Sequence, residues 1–120
     1  MEFTLPMPVG INHLYKQGKH GWYKDSKAVL WQDKALWMIK DGRRFNKHRN
    51  HPEDKPRGDK VHIVWYRGDL RKWDIDSGLK LLLDTLVKAE VIGDDNDIMF
   101  LTVEKKYNKG GGNFCVVKVF

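Results

Sequence analysis

The sequence predicts an α+β fold: a single domain, residues 1–120, in which two main helices pack on one mixed β-sheet. Three observations carry this expectation. Leu79, Leu82, Leu83, Leu86 and Val87 recur at the three- and four-residue spacing of an amphipathic helix. Residues 61–67, VHIVWYR, form a β-branched and aromatic run that reads as a central strand. Two more strand-like runs close the chain, at 98–104 and 114–120. Strands interleaved with helices in a chain of 120 residues, 41% of them hydrophobic, suit helices laid on one sheet around one core.

Taken in order, residues 3–7 alternate apolar and polar side chains, but Pro6 and Pro8 remove two donors, so this strand is expected at an edge. Residues 10–21, GINHLYKQGKHG, read as a basic, aromatic-flanked loop in which Asn12, His13, Tyr15, Lys16, Lys19 and His20 can reach a phosphate backbone or simply face solvent. From 26 to 39, Ala28, Val29, Trp31, Ala35, Leu36, Met38 and Ile39 mark a helix, with Asp25 or Ser26 able to cap it and Gly42 to stop it. Trp22, Trp31 and Trp37 lie in or before this helix; one face cannot easily bury all three, and Trp31 is the expected core residue.

Residues 41–60 lack periodicity and read as a long loop. Arg43, Arg44, Lys47, Arg49, Lys55, Arg57 and Lys60 suit counterion release on a nucleic acid, against the opposing Asp41, Glu53, Asp54 and Asp59. His48 and His51 with His62 lack a strong fourth ligand, so no zinc site is expected. Arg67, Arg71 and Lys72 follow the central strand, and a helix is expected from about 77 to 90, stopped by Gly93. The last two strands read as a hairpin with a flexible basic tip through Lys105, Lys106, Lys109 and three glycines.

A formal charge of +6 and a pI near 9.4 make a polyanion the expected partner. No apolar run has the length of a transmembrane helix, and the first residues lack the basic start and apolar core of a signal peptide, so a cytoplasmic protein is expected. A single cysteine, Cys115, excludes an internal disulfide and a thiolate-rich zinc site.

Within this basic chain, residues 73–97 hold seven acidic side chains against Lys80 and Lys88, a net of −5. Asp74 and Asp76 are two apart, so in an extended segment they point to one side and can converge on a cation; Asp94 and Asp95 follow the helix. Hard divalent ions such as magnesium take carboxylate oxygens together with waters and substrate phosphate. The structural alternative is that Asp76 caps the helix and residues 94–97 make a turn. Lys80 adds weight to the first reading. A cation in the first helical turn opposes the helix dipole by about 0.3–1 kcal/mol. Surface pairs with Asp76 or Asp84 can offset this, or the ammonium can face a scissile phosphate beside a metal ion. Asp84 and Glu90 read as solvated helix charges, and Asp97 as turn or support. The return from Asp76 to Asp95 within one subunit is nearly taut if the helix has about 13 residues and spans about 20 Å, and completion of the site across a dimer is the alternative.

The run W-D-I-D-S-G-L-K, followed after the leucine-rich helix by V-I-G-D-D-N-D, resembles the RusA family of Holliday junction resolvases, whose pattern is D-x-D-N-x-x-K and then a D-D pair. The start, P-M-P-V-G-I-N-H-L-Y, resembles the family's Pro-rich beginning with its Asn and Tyr. Ser77 stands where the family usually has Asn, and residues 41–60 form a longer insert than is usual. The resemblance implies a metal-dependent endodeoxyribonuclease that resolves four-way DNA junctions by paired cuts from a homodimer. It implies Mg2+, with Mn2+ as a substitute, held by Asp74, Asp76 and Asp95 with Asp94 adjacent, and catalytic roles for Asp74, Asp76, Lys80 and Asp95. The expected DNA contacts are Asn12, Tyr15, Lys16, Arg43, Arg44, Arg67, Arg71, Lys72, Lys105, Lys106 and Lys109. The competing reading, from a different class, is a non-catalytic DNA-binding or architectural module whose acidic turn is structural.

Overall fold

The computed structural model of the chain describes residues 1–10, 15–19, 21–46 and 58–120. The elements among the described residues are β1 (Glu2–Pro6), β2 (Tyr15–Gly18), β3 (Gly21–Lys24), α1 (Ser26–Asn46), β4 (Lys60–Arg67), α2 (Leu79–Lys88), β5 (Phe100–Tyr107) and β6 (Phe114–Val119), with a 3-10 turn at Asp95–Asp97 before β5. The main sheet has the order β1-β6-β4-β5, and β2 pairs with β3 apart from it. This is the expected α+β architecture, with the run around Ile63 in an interior strand.

Period-2 alternation decides which face of the sheet is dry. Val61, Ile63 and Trp65 of β4, Cys115, Val117 and Val119 of β6, and Phe3 and Leu5 of β1 are buried with one stripe of each helix. From α1 that stripe is Ala28, Trp31, Ala35 and Ile39; from α2 it is Leu81, Leu82 and Leu86. Full burial of each such leucine contributes roughly 1.5–3 kcal/mol, so the leucine spacing that predicts α2 is also what fastens it. Between the helices, buried Gln32 donates to Thr85 Oγ1 at 3.0 Å, and Thr85 donates in turn to Leu81 O at 2.7 Å. Trp31 is in the core as expected and donates its Nε1 hydrogen to Pro6 O at 3.0 Å, whereas Trp37 is 67% exposed. Cys115 is a core residue, and burial pushes its thiol up to about 12.

Four expectations are corrected. First, α1 does not stop at Gly42 but continues to Asn46, so part of the expected 41–60 loop is helical. A helical glycine costs only about 1 kcal/mol relative to alanine, and here Gly42 lies over the Phe3 ring, where a Cβ would sit 3.6 Å from Cδ1. Packing on β1 outweighs propensity. Second, part of the expected 10–21 loop is strand: Tyr15 to Gly18 pair with Lys24 to Gly21, and Gly21 adopts φ +113°, a region open to glycine.

Third, β5 and β6 are not a hairpin, because β4 lies between them, parallel to β5 and antiparallel to β6. The connecting loop steps over the end of β4 and is tied to it by Gly68 N donating to Asn113 Oδ1 at 2.7 Å. Gly68 is needed there, since a Cβ would fall 1.8 Å from Gly111 O. Fourth, α2 starts at Leu79 and ends at Lys88, shorter at both ends than 77–90. Its stop signal is not Gly93 but Glu90, at φ 60°, with Glu90 N donating to Val87 O at 2.9 Å and Val91 N to Leu86 O at 3.0 Å. That is a Schellman closure made by a residue with a Cβ.

A left-handed conformation costs a non-glycine residue about 1–2 kcal/mol, part of which glycine returns through its freer unfolded chain. Glu90→Gly is therefore expected to raise stability by about 0.5–1 kcal/mol, read as a higher urea midpoint at an unchanged slope. A lower midpoint would contradict the strained closure.

Candidate active site

The approach to α2 is fixed before the helix begins. Ser77 N donates to Asp74 O at 2.9 Å and Leu79 N to Asp76 O at 3.1 Å, so residues 74–79 form consecutive turns rather than an extended entry. Three contacts hold these turns. Trp65, buried in the sheet, donates its Nε1 hydrogen to Ile75 O at 2.6 Å. Lys105 Nζ donates to Trp73 O at 2.7 Å. From the third side, Pro8 packs against Gly78, where a Cβ would meet Pro8 Cγ at 2.4 Å and Trp73 Cζ2 at 3.2 Å.

The residue preceding α2 is Gly78, and no side chain caps the helix. Capping by Asp76 or Ser77 is therefore not what occurs; Asp76 contributes its carbonyl to a turn and leaves its carboxylate to a neighbouring cleft. That cleft, about 300 Å3, is lined by Asp76, Leu79, Lys80, Leu83, Asp84 and Asp95. Lys80 and Asp84 are four apart and share one edge of the helix, and Asp76 reaches the same cleft from the turns before it. Lys80 Nζ lies 3.8 Å from Asp84 Oδ2, both side chains partly exposed.

Asp95 comes to the same cleft from 19 residues along the chain. Val91 and Ile92 are buried just after α2, and the 3-10 turn then brings the carboxylate back beside the helix. At its start Asp94 Oδ1 accepts from Asn96 N at 3.1 Å, so Asp94 helps make the turn that the structural alternative expected of residues 94–97. The two neighbours share a hydrogen bond. It pulls the Asp94 carboxyl below the usual range, with help from Asn96 N–H, and pushes that of Asp95 above it, with the charges of Asp94 and Asp84 adding to the rise.

The site expectations divide on this geometry. Asp76, Lys80 and Asp95 meet in one cleft of one protomer, so the return within a single subunit is made; the short α2, about 15 Å for its ten residues, leaves slack for it. Asp74 and Asp94 do not line the cleft. Asp74 opens the turn before α2, so the extended backbone expected at D-x-D is replaced by hydrogen-bonded turns. Among the described residues no three His, Cys, Asp or Glu side chains stand close enough together to hold a metal ion. Asp84, expected as a solvated charge, is a cleft residue; its spacing of four from Lys80 was the available signal.

The expected DNA contacts fall on several different elements. Asn12 lies outside the described residues, as do His48 and His51. Tyr15 and Lys16 are on β2, and Arg43 and Arg44 in the last turns of α1. Arg71, Lys72, Lys106 and Lys109 are exposed. Arg67 is not a free cation: its guanidinium stacks 5.1 Å from the Trp73 ring centroid and pairs with Asp69 at 3.3 Å. Lys105 is spent in part on Trp73 O. His62 lies beside Thr102 and 3.7 Å from Glu104, away from the cleft residues. No helix among the described residues is long and apolar enough to cross a membrane.

No family profile matches the chain. Over 106 residues it is 30% identical to the crossover junction endodeoxyribonuclease RusA of Aquifex aeolicus (strain VF5), an alignment covering 88% of this chain and 78% of that protein. The chain belongs to the RusA family. Family membership joins the two ends of the acidic segment to one another: the motif that carries the resemblance, from Trp73 to Asp97, is the segment that the fold bends around the cleft.

A small turn pinned by Pro8 and Trp73 makes a sharp prediction. Gly78→Ala is expected to cost about 1–3 kcal/mol through overpacking, whereas Gly112→Ala, whose Cβ meets nothing within 4 Å, should stay within about 0.5 kcal/mol. Thermal unfolding of the two variants checks it, and equal effects would remove the argument that Gly78 fixes Asp76.

Proposed function

We propose that this RusA-family chain is a metal-dependent endodeoxyribonuclease that cleaves branched DNA such as four-way junctions by paired cuts from a homodimer. The observation that carries the reading is the meeting of Asp76, Lys80 and Asp95, from the two motif halves, in one cleft. Asp76 and Asp95 line the cleft, and two carboxylates together with waters and substrate phosphate are the kind of donors Mg2+ or Mn2+ takes; these two residues would hold the ion, although no cluster of three such side chains is preformed among the described residues. When bound, the ion supplies Lewis-acid polarisation of the phosphate and a more acidic water.

The chain's own groups do the rest. Lys80 holds its ammonium within the cleft, where it stabilises the charge that builds on the phosphate oxygens during attack. Asp84, 3.8 Å from it, keeps that ammonium at the cleft edge. Arg71, Lys72, Lys106 and Lys109 give an exposed basic surround that draws the phosphate backbone in. Two symmetric cuts on a four-way junction call for two such clefts related by a twofold axis.

Asp94 spending its carboxylate on a turn favours the second reading, a non-catalytic DNA-binding module. One variant separates the two. Asp76→Asn is expected to lower Mg2+-dependent cleavage of a synthetic four-way junction by at least about a hundredfold while junction binding, measured in the presence of a chelator, is unchanged. Cleavage equal to that of the unmodified protein would sink the nuclease site; absent cleavage in both would leave the binding module.

A further inference from the structure

Among the described residues, the main sheet ends on a long edge: β5 has eight residues, lies last in the strand order, and is paired on one side only. Phe100 N donates to Asp59 O and Asn108 N to Arg67 O, so the even-numbered residues turn their backbone groups toward β4. By alternation the N–H and C=O groups of Leu101, Val103, Lys105 and Tyr107 point outward. The strand exposes Phe100 and Tyr107, each 53%, beside the charged Glu104, Lys105 and Lys106, and Met99 just before it is 83% exposed. An unpaired edge of this length is a template for another strand. At the other edge, β1 is short and ends in Pro6.

We propose that the open edge of β5 pairs antiparallel with β5 of a second copy of this chain, about a twofold axis through Val103. The occupant follows from self-complementarity. With the axis perpendicular to the sheet, one residue must face its own copy. Centring on Glu104 or on Lys105 sets like charges opposite each other, and centring on Thr102 leaves most of the strand's second half unpaired. Centring on Val103 overlaps residues 100–106, opposes no like charges, and sets Phe100 opposite Lys106 and Thr102 opposite Glu104 of the partner. Lysine over an aromatic ring is an arrangement that β5 already makes within the chain, with Lys60 Nζ 5.1 Å from the Phe100 centroid.

The consequence is one continuous sheet across two copies. A perpendicular twofold keeps both helical layers on the same side, so both Asp76–Asp95 clefts open toward one face. The pairing deepens the homodimer of the nuclease reading and rests on that reading for its use, but its readout does not involve cleavage.

Val103→Cys puts two thiols on the axis, in a hydrogen-bonded pair within disulfide reach. Leu101→Cys puts them about 14 Å apart, beyond it. Mild oxidation is expected to yield covalent dimer from Val103→Cys and at least tenfold less from Leu101→Cys; buried Cys115 serves as the shared background. Val103→Pro removes an outward donor without touching the β4 ladder and is expected to shift the solution mass from dimer to monomer. A monomeric unmodified chain, equal crosslinking by the two cysteines, or a folded Val103→Pro chain that stays dimeric would overturn the pairing. If Val103→Pro does not fold, the cysteine comparison decides alone. A dimer with this register and no cleavage would refute the nuclease reading and leave the pairing intact.

Discussion

The parallel pairing of β4 with β5 is the constraint on which the rest depends. Two parallel neighbours cannot be joined by a tight turn; the chain must leave one end of β4, cross a face of the sheet and re-enter at the opposite end. Here α2 is that crossing, and the acidic segment forms its two flanks. Asp76 sits where the chain leaves for the helix, and Asp95 where it comes back. Had β5 paired antiparallel, the two halves of the motif would have no reason to meet. The leucine stripe of α2 sets the height of the helix above the sheet, and Trp65 reaches from the core to hold the turn at Ile75.

Within this crossover, side-chain roles are divided by where the backbone groups find partners. Asp94 bonds Asn96 N and shapes the return turn, which leaves Asp95 outward beside α2. At the other flank, the turns before α2 are satisfied by the carbonyls of Asp74 and Asp76, so the Asp76 carboxylate is not consumed as a cap. Lys80 at the positive end of a helix is a local misfit in dipole terms, and Asp84 one turn on offsets it. A helix start with no side-chain cap and a cation in its first turn is poor design for stability alone; the proposed phosphate-facing site would account for both.

Much of this was legible in the sequence because its signal was local. The period of Leu79, Leu82 and Leu86 gives α2, the β-branched run gives β4, and the paired acids at the flanks of one helix give the candidate site. What sequence could not supply was competition between packing choices. A glycine such as Gly42 reads as a stop until Phe3 is known to lie under it. The stretch between β5 and β6 reads as a hairpin because loop length does not reveal that β4 occupies the place between them. The short polar strands β2 and β3 carry no apolar alternation to announce them. Asp84 was passed over because a charge on an amphipathic helix is usually solvated, although its interval of four from Lys80 marked the shared edge. The extended backbone expected at Asp74 and Asp76 gives way to hydrogen-bonded turns for a related reason.

The central claim is that Asp76 and Asp95 complete one site within a single subunit. Mixed dimers test it most directly: Asp76→Asn subunits combined with Asp95→Asn subunits, assayed for nicking of a four-way junction, with unmodified subunits paired to a doubly substituted partner as the positive control. A site within one subunit predicts no nicking from the mixture and one nick per junction from the control. Nicking restored in the mixture would mean that the two carboxylates meet across the dimer, and would contradict the account.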